Sequence, residues 1–234
     1  MRAMILAAGR GDRMRPLTGA TPKPLLEAGG KPLIVWTIER LVRAGFRDLV
    51  INVSHLGEHI ERALGDGRRW DVRIRYSREA EPLETAGGIA TALALLGPEP
   101  FAVVNGDIYT EFDFAALRSA LGDPAVAHLV LIDNPPHHPA GDFGLDNGLV
   151  TNAGAARHTF SGIGVYRPVL FAGVTPGSKA QLAPLLRREI ELARVTGRHY
   201  AGCWFDIGTP QRLAELDHML RSRSELRSEP FRQV

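Results

Sequence analysis

The chain's 234 residues, 44% hydrophobic and 23% charged, suffice for one large domain with a sizeable core, and length alone does not call for two. A formal net charge of +2 is too small to argue for nucleic acid or a membrane surface, and no protein partner is implied. One cysteine, Cys203, excludes an internal disulfide, and no apolar run nears the roughly 20 residues of a membrane span, so a cytoplasmic protein is the expectation.

The chain opens on an apolar run, Ala3 to Ala8, that breaks into Gly9-Arg10-Gly11-Asp12-Arg13. This reads as a buried strand opening into a loop whose backbone can approach a ligand closely. Free N–H groups in such a loop, with any helix start after it, form an anion cradle, and Arg10, Arg13, Arg15 and Lys23 add full positive charge. Lys23 stands out because only three of the 28 basic residues are lysine. The spacing fits neither the P-loop nor the Gly-x-Gly-x-x-Gly pattern of dinucleotide binding.

Pro32 starts an amphipathic helix carrying Ile34, Ile38, Leu41 and Val42, closed by Gly45. Leu49 to Val53 predicts a second buried strand, Leu56, Ile60 and Leu64 a helix, and Val72, Ile74 and Tyr76 a third strand. Thr85 is placed as the N-cap of a helix with Ile89, Leu93 and Leu96 that stops at Gly97-Pro98. Phe101 to Val104 is a strand that runs into Asn105-Gly106-Asp107, followed by a helix over Phe114, Leu117 and Leu121 and a strand over Leu129 to Ile132. Alternating strands and helices predict a mostly parallel α/β sheet with helices on both faces.

From Asn134 the character changes. Pro135 to Pro139 cannot be regular structure, and Asn147-Gly148 between two apolar segments is a hairpin signal. Ile163 to Tyr166 returns to the core, Leu182, Leu185, Leu186 and Ile190 mark a helix, and His199 to Phe205 predicts one late strand. Asp206 to Pro210 leads into a last helix with Leu213, Leu216 and Leu220, and the charged residues from Arg221 read as a loosely held tail.

Asp107 and Asp206 each end an apolar strand, and ligands of open α/β sheets bind outside the carboxyl ends of strands, so both can converge where Gly9 to Arg13 waits. Two hard carboxylates facing an anion cradle point to Mg²⁺. His137 and His138 are adjacent in a proline loop and cannot easily face one ion, so ligand contact or plain surface outweighs a metal role for them.

The loop with Arg13 and Lys23, the segment Asn105-Gly106-Asp107 and the segment Trp204 to Pro210 together resemble the sugar-1-phosphate nucleotidyltransferases, in order and over nearly the whole chain. Asp12 stands where much of that family has serine or threonine. The resemblance implies a Rossmann-like nucleotide-diphospho-sugar transferase fold over residues 1–221, with a nucleotide-binding part to about 133, a small β-rich sugar-binding lobe over about 134–200 and a polar tail at 222–234. It implies that Ala8, Gly9, Gly11, Asp12, Arg13, Lys23, Thr85, Gly88 and Asn105 bind the nucleotide, that Arg13, Lys23, Asp107 and Asp206 are catalytic, and that the two aspartates hold Mg²⁺. Thr85 to Gly88 resembles the family's nucleobase segment, although a helix start with glycines for tight packing is an equal reading.

Asn134 to Phe143 and Thr159 to Ile163 look most like the N-acetylmuramate-1-phosphate uridylyltransferases of bacterial cell-wall recycling. Arg157-His158 replaces the Glu-Lys pair of the glucose and mannose branches. The implied reaction is uridylyl transfer from UTP to a sugar 1-phosphate, with Asp142, Gly144 and Ser161 as sugar contacts. Guanylyl or cytidylyl transfer, or a catalytically silent nucleotide-sugar sensor, are the alternatives.

Overall fold

The computed structural model describes residues 1–154 and 156–228. Strand β1 (Ala3–Leu6) is followed by a two-stranded ribbon, β2 (Glu27–Ala28) and β3 (Lys31–Pro32), and helix α1 (Leu33–Arg43). Next come β4 (Asp48–Val53), α2 (Gly57–Leu64), β5 (Arg73–Arg78), α3 (Glu84–Leu96), β6 (Phe101–Asn105), β7 (Ile108–Thr110) and β8 (Ala127–Ile132). The hairpin β9 (Phe143–Asp146) and β10 (Leu149–Thr151), long β11 (Arg157–Tyr166), α4 (Leu182–Glu191), β12 (Val195–Tyr200), β13 (Trp204–Asp206) and α5 (Pro210–Ser228) complete the order.

Nine strands form one sheet in the order β5-β4-β1-β6-β11-β8-β12-β10-β9. The pairs β4–β5, β1–β4, β1–β6 and β8–β12 are parallel, while β10 and β11 run against their neighbours. Residues 134–200 therefore do not stand apart: β9 to β12 extend the same sheet, and the start of β11 also pairs with β9.

Side chains alternate along β1 to both faces, which is why its apolar run is unbroken. Ala3 and Ile5 join Ile34, Ile38 and Leu41 of α1 and Ile60 and Leu64 of α2, whereas Met4 joins Ile89 and Leu96 of α3 and Leu182, Leu186 and Ile190 of α4. Helix α5 packs Leu216 and Leu220 against Met14, Leu33 and Ile207. The expected sheet with helices on both faces is the fold observed. Asn147 (φ 49°) and Gly148 (φ 83°) make the predicted tight hairpin between β9 and β10.

Four local expectations are corrected. The segment Phe114–Ser119 is a 3₁₀ helix, capped by the Asp113 carboxylate, not an α-helix. Helix α3 begins at Glu84, with Leu83 in the cap position and no side-chain cap, so Thr85 lies inside the first turn. The late strand is two strands. The chain breaks over Ala201-Gly202-Cys203, where Gly202 lies so close to the Tyr200 ring that a Cβ would meet its hydroxyl at 2.3 Å, and β13 then pairs with β7 instead of the main sheet. The tail expected from Arg221 continues α5 to Ser228, and its last part, 229–234, lies outside the described residues. No helix among the described residues is long and apolar enough to cross a membrane.

Candidate active site

The carboxyl ends of β1, β4 and β6 lie side by side, with Leu6 in register with Asn52 on one flank and Asn105 on the other. The chain leaves β1 towards β4 and β5 and returns to β6 on the opposite side of β1, so the strand order reverses beside these ends. A cavity of about 420 Å³ opens there, lined by Ala7 to Gly9 and Gly11 to Met14 of the loop, by Lys23, Asn52, Glu79, Glu84, Thr85, Asn105 and Asp107, and by Gly208.

Gly11 adopts φ 66°, and a Cβ on it would lie 3.0 Å from Thr18 Cγ2 and 3.2 Å from Lys23 Cβ. Glycine there lets the loop turn while packing against the lysine. At Gly9 a Cβ would meet nothing within 4 Å, so that residue's bareness faces the cavity and not the protein. Among the described residues, the N–H groups of Gly9, Arg10 and Gly11 donate to no protein acceptor. The loop passes into a three-residue 3₁₀ turn, Asp12–Met14, in place of a full helix start. Arg13 is exposed on the cavity wall, and Asp12 pairs with Arg15 at 3.1 Å.

Lys23 is buried, and its Nζ lies 2.5 Å from Asp107 Oδ2. The turn that carries Asp107 is drawn under β1, because Gly106 N–H donates to Leu6 O at 2.8 Å and a Cβ on Gly106 would strike that oxygen. The Ile207 N–H donates to Asp107 O at 2.8 Å, and Asp206 pairs with Ile108 in the β13–β7 ribbon. These backbone bonds bring the two aspartates together from different parts of the chain. Asp206 accepts from Arg212 and lies 3.1 Å from His137 Nε2.

Both aspartate side chains reach solvent, and each meets a cation of the chain itself, Lys23 on one and Arg212 on the other. Asp107 lines the cavity and Asp206 does not, though Gly208 beside it does; carboxylate oxygens that draw positive charge at such a rim suit a divalent cation that keeps water and phosphate ligands. His137 and His138 face different partners, Asp206 and Asp142, each at 3.1 Å. Separately, Asp133 just after β8, His158 of β11 and His199 of β12 place their ligand atoms within 4.8 Å of one another.

Of the expected nucleotide contacts, Ala8, Gly9, Gly11, Asp12, Arg13, Lys23, Thr85 and Asn105 line the cavity. Gly88 does not. A Cβ there would lie 2.7 Å from Glu79 Oε1 and 3.0 Å from Asn52 Nδ2, so its smallness accommodates a buried polar pair. Of the expected sugar contacts, only Asp142 lines a cavity, a second one of about 490 Å³ that shares Glu84, Thr85 and Asn105 with the first. Gly144 is packed under Thr151 and Ala153, where a Cβ would clash with both. Ser161 is 1% exposed, and its hydroxyl donates to Val130 O and accepts from Ile163 N–H at the irregularity in β11.

Sequence reasoning missed Asn52 and Glu79. Asn52 Oδ1 accepts from Ala7 N–H at 2.8 Å, its Nδ2 donates to Glu79 Oε1 at 2.7 Å, and Glu79 Oε2 accepts from Leu83 N–H at 3.0 Å. This buried relay ties the loop after β1 to the start of α3. Its one signal in the sequence was a polar residue inside an apolar strand, Asn52 between Ile51 and Val53.

Residues 2–148 match the model of a family described as nucleotidyl transferase. The chain is 55% identical over 222 residues to an N-acetylmuramate alpha-1-phosphate uridylyltransferase of Neisseria meningitidis, covering 92% of this chain and 96% of the relative. It is 30% identical to the mannose-1-phosphate guanylyltransferase catalytic subunit beta of Danio rerio, over 90% of this chain and 62% of that longer protein. Among solved structures, one from Bacillus anthracis, assigned as a glucose-1-phosphate thymidylyltransferase, superposes with a TM-score of 0.85 at 20% identity, covering 100% of this chain and 98% of the other. HddC of Yersinia pseudotuberculosis gives 0.75 at 21% identity, covering 93% and 98%.

Proposed function

The chain belongs to the nucleotidyl transferase family, and from that premise we propose that it transfers a uridylyl group from UTP to N-acetylmuramate 1-phosphate, giving the UDP-sugar and pyrophosphate. The observation that carries the reading is the 55% identity, over 92% of the chain, with a uridylyltransferase for that sugar phosphate. The site supports it with a glycine loop of free N–H groups, a buried lysine and Asp107 around one cavity, and with Asp206 two residues before Gly208, which also lines it.

The nucleophile, a phosphate oxygen of the sugar phosphate, is already an anion, so no general base is needed. Positioning and charge neutralisation then supply most of the catalysis. In this reading Lys23 contacts the α-phosphate and the attacking phosphate, where charge develops, and Arg13 holds the β- and γ-phosphates that leave. The loop N–H groups of Gly9 to Gly11 receive phosphate oxygens. The family generally uses a divalent metal, and Asp107 and Asp206 would hold it, Mg²⁺ in this proposal. Bound there, it would offset charge on both phosphates. The second cavity receives the sugar, with Asp142 at its wall.

Pyrophosphate release across UTP, dTTP, GTP, CTP and ATP, each with a panel of sugar 1-phosphates, tests this. Release with UTP and N-acetylmuramate 1-phosphate above all other pairs is the expected result. Preference for another pair would keep the transfer chemistry and replace the substrates, and nucleotide binding without release for any pair would favour a sensor.

A further inference from the structure

The lining of the second cavity includes Phe143 of β9 and Leu182, Leu186 and Arg187 of α4. Arg187 is the one cation in that wall among the described residues. Neighbouring arginines are already committed: Arg188 and Arg194 to the buried Glu189 carboxylate, Arg157 to the carbonyl of Asp142. Arg187 forms no ion pair among the described residues. Its guanidinium lies 5.2 Å from the centroid of the Phe143 ring, and the Asn152 side-chain amide donates to the Arg187 carbonyl at 3.0 Å and accepts from its Nη1 at 3.5 Å. With Nη1 on Asn152 and the ring beneath it, the guanidinium keeps its Nε–Nη2 edge for a planar, two-oxygen anion.

We propose that Arg187 is the binding site for a carboxylate carried by the sugar, and so a residue that selects an acidic sugar 1-phosphate over neutral ones. The assignment rests on the substrate reading above, since N-acetylmuramate bears a lactyl ether carboxylate that neutral hexose phosphates lack. The reacting phosphate on C1 must meet the nucleotide near the shared rim of the two cavities, at Thr85 and Asn105. The lactyl ether on C3, two ring atoms away, then extends into the second cavity. Glu84 at the rim repels a carboxylate, and the Asp142 carboxylate is occupied by His138 and by the Phe160 N–H at 2.8 Å. Arg187 is the complementary charge in the lining.

The test compares kcat/KM for N-acetylmuramate 1-phosphate with that for N-acetylglucosamine 1-phosphate, which lacks the lactyl group, in the unaltered protein, Arg187→Gln and Arg187→Lys. The unaltered protein favours the acidic sugar. Arg187→Gln reduces that preference by roughly 30-fold or more, as expected for loss of a charge-assisted bidentate contact, and Arg187→Lys restores part of it. Thermal melting checks that each variant folds. Preference retained in Arg187→Gln overturns the assignment and leaves the substrate reading intact. An unaltered protein that does not favour the acidic sugar overturns the substrate reading, and this assignment with it.

Discussion

The Nζ of Lys23 sits 2.5 Å from Oδ2 of Asp107, joining the end of the glycine loop to the turn after β6 across 84 positions of sequence. The lysine side chain is 10% exposed and the aspartate 40%, so the pair is buried on one side and open to the cavity on the other. Lys23→Ala is expected to lower kcat by roughly 10²–10³-fold while changing the KM for UTP several-fold at most, because its partner charge grows in the transition state. Asp107→Asn should do comparable damage, and the double variant should be little worse than either. Steady-state kinetics over UTP concentration checks this, and equal losses in kcat and UTP binding would demote Lys23 to a ground-state contact.

Asp206 is held by Arg212 from six residues along and by His137 from another part of the chain. A divalent cation must compete with these groups for the carboxylate. Arg212→Ala is expected to lower the Mg²⁺ concentration for half-maximal rate by about tenfold, the scale of one charge-assisted hydrogen bond. Asp206→Asn should raise it. A Mg²⁺ titration of pyrophosphate release reads both, and a higher requirement in Arg212→Ala would mean that the arginine orients the aspartate.

Gly9 and Gly11 separate binding from folding. Gly9→Ala meets no protein atom within 4 Å, so melting should stay unchanged while UTP binds at least several-fold more weakly. Gly11→Ala forces a side chain to φ 66° and against Thr18 and Lys23, which should cost about 1–2 kcal/mol of stability as well as activity. Calorimetric melting beside UTP titration distinguishes the two.

Asn52→Ala strips the Ala7 N–H and the Glu79 carboxylate of buried partners at once. A loss of roughly 2–4 kcal/mol in denaturant unfolding is expected, since each orphaned group carries its own desolvation cost. Gly88→Ala presses on the same pair and should destabilise in the same direction. A Gly88→Ala protein of unchanged stability but altered base preference would return Gly88 to the nucleotide site.

His128 is buried on β8 with Nδ1 2.9 Å from Thr196 Oγ1 and Nε2 without a partner among the described residues. Burial, helped by the charge of Arg198, pushes the imidazole down to about 4. The unfolded chain takes up this proton near pH 6.5 and the native chain only near 4, so stability falls as pH drops between those values and levels off below. The penalty approaches about 3 kcal/mol. His128→Leu should flatten this part of the stability profile, measured by urea unfolding at pH 7 and pH 5.

The parts of the fold that were legible are those whose signal is local. The run Ala3 to Ala8 breaking into glycine, the apolar strand ending at Asp107 and the Asn147-Gly148 turn each declare themselves within a few residues. Ser161 and Gly144 were illegible for the opposite reason: one answers to Val130 across a sheet irregularity, the other to Thr151 and Ala153 beyond a hairpin. Asn52 hid because a polar residue near a strand end does not reveal whether it faces a ligand or, as here, binds Glu79. The break at Gly202 depends on where the Tyr200 ring lies, which no periodicity records.

The most direct measurement follows the α-phosphorus. With UTP labelled there, N-acetylmuramate 1-phosphate and Mg²⁺, the account predicts label in a UDP-sugar, with unlabelled pyrophosphate released in equal amount and neither product formed when the metal is chelated. Label recovered only in UTP, or in UMP with no sugar nucleotide, would contradict uridylyl transfer as the activity of this chain.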